Sequence, residues 1–288
     1  MPPSSNPRIG TTVTAPGKLV IVGEYAVIDD SAAIVLAIDR GVMCQVQQGS
    51  GITTPNGDTR FVAPILQGHT QNAHYKFQAW NPVDLPDKPG FGGSAAAVVA
   101  ACLAVGHPVE QARAIHQQIQ GGGSGIDVLA SVYGGLLHIH RDVVTPIKPF
   151  VPSVIWSGQS AKTGPRVQQY LSWTDRADFI QTTTDLVTEF SSRPVEVLRE
   201  AAILLEAMAQ SAGIDYRTPG LSRIMALAND VGGAAKPSGA GGGDCAIALI
   251  PDPDARENFL SRCAEEDLTP IPVRVASKAR QEPSHEHL

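Results

Sequence analysis

Hydrophobic residues open the chain in short β-branched runs that glycines interrupt. The runs are TVTAPGKLVIVGEYAVI from Thr12, AAIVLAID from Ala32 and GVMCQVQQG from Gly41. Runs bounded in this way by turn residues are typical of strands in a mostly antiparallel sheet. The pattern therefore predicts a β-rich beginning. Residues 51–90 are polar, with only short apolar runs such as FVAPIL, and no element is assigned there.

Helical periodicity takes over in the middle of the chain. It predicts helices over 94–105 and 110–120, a short helix after Asp127, and a strand at LLHIH that returns to the first sheet. The second half is predicted to contain strands at SVIWSG, CAIALI and TPIPVRV, and helices over 166–171, 175–190, 195–212, 219–231 and 254–265. We therefore expect an α+β protein with a β-rich domain over residues 1–150 and a helix-rich domain over 151–288.

Composition and charge exclude several classes of protein. A charged fraction of 17% beside a hydrophobic fraction of 43% excludes a disordered or coiled-coil chain. The net charge is −6 and no basic run occurs, so neither a nucleic acid nor an anionic membrane is the expected partner. The longest apolar stretch, SAAAVVAACLAVG, is shorter than the roughly 20 residues of a membrane span and predicts a buried helix.

The cysteines and the chain ends point to the cytoplasm. The four cysteines lie far apart without metal-ligand spacing, which favours reduced structural thiols in a cytoplasmic protein. The first ten residues contain no apolar core of a secretory signal. His285 and His287 in the last residues are interpreted as end residues rather than metal ligands.

Two glycine-rich segments could bind an anion. In KPGFGGSAAA, Gly90, Gly92 and Gly93 precede a helix, whose first backbone N–H groups are unpaired and attract negative charge. An ordinary loop with Ser94 as helix cap explains the same residues about equally well. In KPSGAGGGDC the glycines are too many for a plain turn, and converging amides there could hold a carboxylate or a phosphate.

A third glycine run, GGGSGID, leads into a helix with Asp127 in its first turn. An acid at that position is also stabilised simply by the helix dipole. Lys18 follows a Pro-Gly corner in the first strand region. Anion-binding loops, a cation and a carboxylate are together the parts of a phosphoryl-transfer site.

The segments APGKLVIVGEYAV, GFGGSAAA and KPSGAGGGDCAIAL resemble, in that order, the three motifs of the GHMP small-molecule kinases, across residues 11–250. The resemblance implies a two-domain fold: a β-rich N-terminal domain with an S5-like βαβ unit and a helix-rich, ferredoxin-like C-terminal domain. ATP and the acceptor would meet in the cleft between them. Phe91 and Gly93 depart from the usual G-L-G-S-S-A, so the hydroxyl of the first serine in that motif is missing here.

Within that family the chain is most similar to the phosphomevalonate kinases. HQQIQGGGSGIDVLASVYGG resembles their pattern, and His116 stands where mevalonate kinases carry a metal-binding glutamate. The pair Asp244 and Cys245 that closes the third motif favours the same group. The resemblance implies an enzyme that uses ATP and Mg²⁺ to convert phosphomevalonate into diphosphomevalonate for isoprenoid synthesis, as a monomer or homodimer.

The resemblance also implies a role for each residue of the motifs. Lys18 and Asp127 would be catalytic, and Ser94 would bind Mg²⁺. The ATP phosphates would lie on Gly90, Gly92, Gly93, Ser94 and Ala95. The acceptor would be bound by Lys88, Ser124, Ser157, Ser160, Lys236, Ser238, Gly239, Ala240 and Gly241.

Several alternatives stay open. A mevalonate kinase would phosphorylate a hydroxyl, and a weakly catalytic sensor of the same fold would only bind its ligand. Lys88 could be a plain surface lysine, and Ser157 and Ser160 ordinary strand-end hydroxyls. A phosphate acceptor is already mostly deprotonated at neutral pH, so we expect Asp127 to orient Lys18 rather than to act as a general base.

Overall fold

The computed structural model describes residues 8–284, so the interpretation of His285 and His287 falls outside the described residues. Within that range the chain forms two sheets. The larger sheet contains β1 (Thr11–Val22), β2 (Ala33–Gln47), β3 (Gly51–Thr53), β4 (His74–Trp80), β5 (Leu136–His140), β6 (Val143–Ile147) and β11 (Arg280–Pro283). The smaller sheet contains β7 (Ser153–Trp156), β8 (Ala234–Pro237), β9 (Cys245–Leu249) and β10 (Thr269–Pro270), in the order β10-β7-β9-β8.

The larger sheet is mostly antiparallel, as the alternating runs predict. Its order is β11-β1-β2-β4-β3, with β5 paired to β2 and β6 paired to β5. Only β3 and β4 pair in parallel among the described strands. The Pro-Gly corner interrupts the register between Ala15 and Gly17. Gly17 allows this bend because a β-carbon there would lie 2.0 Å from the backbone oxygen of Arg40, and the bend leads directly into Lys18.

Helices cover both sheets. The first half contains α1 (Ala63–Leu66), α2 (Gly93–Val105), α3 (Ala112–Gln120) and α4 (Ile126–Tyr133). The second half contains α5 (Thr163–Ser172), α6 (Ala177–Glu189), α7 (Pro194–Ala212), α8 (Pro219–Asp230) and α9 (Pro253–Glu265). Two short 3₁₀ turns occupy Ala26–Asp29 and Val109–Gln111.

The alanine-rich helix α2 is buried, as its apolar sequence predicts. Its small side chains let it pack closely on β1 and β2, against which Val98, Val99 and Cys102 are fully buried. None of the helices within residues 8–284 is both long enough and apolar enough to cross a membrane.

The prediction of a mixed α+β architecture is confirmed, and three details differ. The segment TPIPVRV forms only the two-residue strand β10. Helix α4 begins at Ile126 rather than after Asp127, so Asp127 lies in its first turn, as the segment GGGSGID predicts. Strand β11 pairs with β1, with Thr11 opposite Pro283, so the end of the chain joins the larger sheet and not the second half. Pairing there covers the edge of β1.

The two halves share a hydrophobic core. One cluster joins Leu19 and Ile21 of β1 to Leu198 of α7 and Ile247 of β9, all at most 1% exposed. Burial of this apolar surface holds the halves together along β1. The loops that follow these strands therefore face one another across a common cleft.

Candidate active site

The three glycine-rich loops converge on a cleft of about 470 Å³ between the two halves. Its lining includes Gly90 and Ser94 from the second motif, Gly125 from the loop before α4, and Gly239 from the third motif. These segments are far apart in sequence, and pairing of the strands that carry them brings them together. The cleft has the volume of a typical small-molecule site.

Lys18 lies where the loops meet. It is 7% exposed, and its Nζ donates a hydrogen bond of 3.1 Å to the backbone oxygen of Gly90. A β-carbon at Gly92 would lie 3.2 Å from Lys18 Cγ and 3.2 Å from Asp127 Oδ2. On the other side, a β-carbon at Gly239 would lie 3.8 Å from Lys18 Nζ. The predicted cation and carboxylate thus lie side by side, with the second and third motifs around them.

The second motif presents free backbone donors to the cleft. Helix α2 begins at Gly93 after Gly92, whose φ of 74° suits glycine, and no side chain caps it. Among the hydrogen bonds of the described residues, none uses the amides of Gly93, Ser94 or Ala95 as donors. Ala95 is fully buried and lines neither the cleft nor another described cavity, although its N–H has no acceptor among the described residues. Three free N–H groups at a helix start attract phosphate.

Ser94 has a specific partner. Its Oγ lies 3.1 Å from Nε2 of His116, which is buried and stacks on Phe61 with ring centroids 5.4 Å apart. Burial lowers the pKa of His116, an effect that the nearby Asp127 partly opposes. A neutral imidazole can accept a hydrogen bond from the Ser94 hydroxyl, which leaves the oxygen lone pairs of Ser94 facing the cleft.

The third motif is held from two sides. Gly239 N–H donates to Glu24 Oε1 at 3.3 Å, and Tyr25 donates its phenolic proton to the backbone oxygen of Ala240 at 2.6 Å. Further along, Gly242 N–H donates to the backbone oxygen of Tyr216 at 2.6 Å.

The amides of Ala240 and Gly241 donate to no protein atom in the part of the chain that the structure describes. The hydroxyl of Ser238, in contrast, is bonded to the backbone of Val20: it accepts from Val20 N–H at 2.9 Å and donates to the Val20 oxygen at 3.2 Å. Ala240 lines the cleft, whereas Gly241 is buried and does not, so the third motif offers a ligand the amide of Ala240 rather than its serine.

Lys236 does not reach the cleft, contrary to the expected acceptor role. It is fully buried on β8, where it forms an ion pair with Glu24 and donates to the backbone oxygen of Pro237 at 2.9 Å. Burial lowers the pKa of Lys236, and the charge of Glu24 opposes that shift. The alternation of side chains along β8 turns this residue inward, so it supports the third motif from beneath.

The other predicted acceptor residues divide into two groups. Ser157 is buried outside the cleft, and its Oγ has no partner. Ser160 lines the cleft and donates to the backbone oxygen of Lys88 at 2.8 Å. Lys88, exposed at the rim, and Ser124, whose backbone oxygen accepts from Arg113 at 2.9 Å, also line the cleft.

Sequence reasoning missed three residues that line the cleft. Glu24 and Tyr25 contact the third motif, although both stand inside the quoted segment GEYAV. From the sequence, Asp244 only distinguishes groups within the kinase family, and no role in the site is predicted for it. In the structure its Oδ1 accepts a hydrogen bond from Ala161 N–H at 2.9 Å. Burial raises the pKa of Asp244. A β-carbon at Gly90 would lie 2.4 Å from Asp244 Oδ2, so glycine is required there.

A second cavity of about 590 Å³ adjoins the cleft and shares Gly90, Gly92 and Ser94 with it. Phe77 and Trp80 contribute apolar surface, and Gly93 faces this side. Thr54 Oγ1 lies in its wall, buried and without a partner. Most of the lining comes from residues 51–90, for which the sequence predicts no element; the only signal was the aromatic residues spaced along that region.

The oxygen donors of the cleft fit Mg²⁺. Within residues 8–284 no three His, Cys, Asp or Glu side chains group into a preformed metal site. Ser94 and Asp127 nevertheless both line the cleft. Mg²⁺ commonly binds one or two protein oxygens together with substrate phosphates and water, and this limited set of donors suits it.

Comparison with known proteins agrees with this geometry. Residues 195–267 match the family described as GHMP kinases C terminal. This part of the chain is therefore a GHMP kinase C-terminal domain. Members of this family are small-molecule kinases that use ATP.

Two relatives illustrate the range of acceptors. The mevalonate kinase of Methanothermobacter thermautotrophicus is 27% identical over 278 residues, covering 84% of this chain and 90% of the relative. The phosphomevalonate kinase of a Streptomyces species is 26% identical over 360 residues, covering 91% of this chain and 96% of the relative. Among solved structures, Streptococcus pneumoniae phosphomevalonate kinase in complex with phosphomevalonate and AMPPNP superposes with a TM-score of 0.78 at 19% identity, covering 92% of this chain and 99% of that one.

Proposed function

We propose that this protein is a GHMP kinase that transfers the γ-phosphoryl group of ATP to phosphomevalonate. The observation that carries the proposal is that free backbone amides of the second motif and the free amide of Ala240 in the third motif lie around Lys18. Two separate anion-binding loops suit two phosphorylated substrates. One relative, the Streptomyces phosphomevalonate kinase, and the phosphomevalonate bound to the similar solved structure support this class of acceptor.

ATP would occupy the second motif and the second cavity. Its β- and γ-phosphates would accept hydrogen bonds from the amides of Gly93 and Ser94. Phe77 and Trp80 would pack against the adenine, because aromatic side chains stack favourably on a flat ring. The unpartnered hydroxyl of Thr54 is available to a polar atom of the nucleoside.

The acceptor would occupy the side of the third motif. The amide of Ala240 would bind one anionic end, and Lys88 with Ser160 would lie at the rim of the same cleft. Glu24 Oε2 is buried in the lining without a partner and would accept a hydrogen bond from a hydroxyl of the acceptor.

In the transfer step an oxygen of the acceptor phosphate attacks the γ-phosphorus. The new P–O bond forms as the bond to the β-phosphate oxygen breaks, and ADP leaves. The second pKa of a phosphomonoester is about 6, so the attacking oxygen carries no proton that must be removed at neutral pH. Lys18 would stabilise the charge on the transferring group, and Asp127 would orient Lys18. Mg²⁺, when bound, would neutralise phosphate charge beside Ser94.

Mevalonate is the second candidate acceptor, and the charge of the cleft favours it. Four carboxylates line the cleft, those of Glu24, Asp87, Asp127 and Asp244, against the two lysines Lys18 and Lys88. A less negative acceptor would meet less repulsion there. Its hydroxyl would need a general base, a role for which Asp127 is placed beside Lys18.

A coupled assay of ADP release tests the proposal. The parent enzyme is assayed with ATP and Mg²⁺ against phosphomevalonate and against mevalonate, each over a range of concentrations. We expect turnover that depends on phosphomevalonate and stays near background with mevalonate. Turnover of mevalonate alone would establish the second candidate. Binding of either compound without any ADP release would instead indicate a sensor of the same fold.

A further inference from the structure

The backbone bends sharply at Tyr25, beside the third motif. Tyr25 has φ 62° and ψ −56°, and the backbone oxygen of Glu24 accepts from Ala26 N–H at 2.7 Å. These dihedral angles with a hydrogen bond from residue i+2 to residue i define a classic γ-turn, which is rare and strained. A bulky aromatic residue at positive φ is an outlier that the surrounding structure must enforce.

The turn directs two adjacent side chains to two adjacent residues of the third motif. Glu24 accepts from Gly239 N–H at 3.3 Å, and Tyr25 donates to the oxygen of Ala240 at 2.6 Å. In an ordinary extended strand, neighbouring side chains point to opposite faces and could not both reach the same loop. The strained bend therefore has a geometric consequence, which is simultaneous contact with Gly239 and Ala240.

Packing from the second half enforces the bend. Tyr25 is 4% exposed, and its ring lies 5.2 Å from the ring of Tyr170 on α5. Tyr170 in turn donates to Asp29 Oδ2 at 2.6 Å, and Arg176 forms an ion pair with Asp29 at 3.0 Å. Asp29 ends the 3₁₀ turn that follows Tyr25, so both ends of the bend are attached to helices of the second half.

We propose that Tyr25 is a positioning residue for the acceptor. By binding the oxygen of Ala240, its hydroxyl fixes that carbonyl and leaves the amide of Ala240, which lines the cleft without a protein acceptor among the described residues, as the donor that an anionic acceptor meets. The assignment rests on the proposed function, because it concerns the same acceptor side of the cleft. It differs from a role in ATP binding, because the side-chain hydrogen bond and the ring contact of Tyr25 go to the third motif and to Tyr170.

Two tyrosine variants provide a matched pair. Tyr25→Phe removes the hydroxyl that reaches Ala240, and Tyr170→Phe removes a hydroxyl with a hydrogen bond of the same length, 2.6 Å, in the same cluster but directed at Asp29. Each variant loses one buried hydrogen bond, so a loss of stability alone does not separate them. All assays are run below the melting temperature of the less stable variant.

Steady-state kinetics and hydrogen exchange give the readouts. We expect Tyr25→Phe to raise the acceptor KM about five- to tenfold, the loss of roughly one hydrogen bond, and to leave the ATP KM within about twofold. Exchange at the amides of Gly239 and Gly242, followed by mass spectrometry of the free protein, should become faster in Tyr25→Phe and stay unchanged in Tyr170→Phe. Tyr170→Phe should also leave both KM values unchanged, because its ring still packs on Tyr25 and the ion pair between Arg176 and Asp29 remains.

The proposal is overturned by an equal rise of the ATP KM in Tyr25→Phe, by an equal rise of the acceptor KM in Tyr170→Phe, or by an unchanged acceptor KM in Tyr25→Phe. The exchange measurement needs no turnover. If the parent phosphorylates neither phosphomevalonate nor mevalonate, the proposed function fails, while unchanged exchange in Tyr25→Phe would separately show that the tyrosine does not hold the loop.

Discussion

Replacement of Lys18 by methionine tests the centre of the proposed site. Lys18 Nζ lies between the second and third motifs, bonded at 3.1 Å to Gly90 and next to Asp127. Methionine keeps an unbranched side chain of similar length and removes the charge. The variant therefore isolates the electrostatic contribution of the ammonium group.

The size of the effect follows from Coulomb's law. A unit charge about 4 Å from a developing charge contributes about 4 kcal/mol at an effective dielectric constant of about 20. Each 1.36 kcal/mol corresponds to about tenfold in rate, so kcat should fall by a factor of roughly 10² to 10³. The fold loses a single hydrogen bond to Gly90, so the free energy of unfolding should change by less than about 1.5 kcal/mol.

The assay is initial-rate ADP release at saturating ATP and acceptor, with urea unfolding of the same preparations. Lys148→Met serves as control, because Lys148 is an exposed lysine outside the cleft, and it should behave like the parent. If Lys18→Met keeps more than about a tenth of the parent kcat, the ammonium does not stabilise the transferring phosphoryl group. If its free energy of unfolding drops by about 3 kcal/mol or more, Lys18 is chiefly structural.

Two further substitutions test groups around the third motif. Lys236→Met removes the buried partner of Glu24 and should lower the free energy of unfolding by about 3 to 5 kcal/mol, measured by urea titration at neutral pH. The double variant Glu24→Gln/Lys236→Met should lose less stability, because it leaves no unpaired buried charge. Equal losses in the two variants would argue against a buried ion pair. Burial raises the pKa of Asp244, so the folded protein binds this proton more tightly than the unfolded chain does. The resulting contribution to the free energy of unfolding is present below the unfolded pKa and is lost as the pH rises through the folded pKa. Asp244→Asn keeps an acceptor for Ala161 N–H, so its stability relative to the parent should increase between about pH 4 and pH 7, and a difference that does not vary with pH would contradict the shift.

The amino-acid sequence by itself determined the local chemistry of the site. Glycine runs specify backbone with exposed N–H groups, because positive φ and close approach need a residue without a side chain. That is why the loops of Gly92 before α2 and Gly239 in the third motif could be predicted to bind an anion before their positions were known. The helices of the second half were likewise predicted, since hydrophobic periodicity is a local property.

Tertiary structure decided which side chains face the cleft. Lys236 and Ser238 are two residues apart, yet Lys236 is buried beneath the cleft while Ser238 bonds to the backbone of β1; only the pairing of β8 with β9 fixes this. Tyr25 enters the site because packing against Tyr170 enforces a backbone conformation that its own sequence disfavours.

Contacts between distant segments decided the remaining features. The strand Arg280–Pro283 joins the larger sheet by pairing with β1, which its polar sequence gives no reason to predict. The second cavity is formed by residues 51–90 folding against β2 and the start of α2. Such contacts depend on which surfaces the folded chain leaves uncovered, and hydrophobic patterning within a short window does not encode that choice.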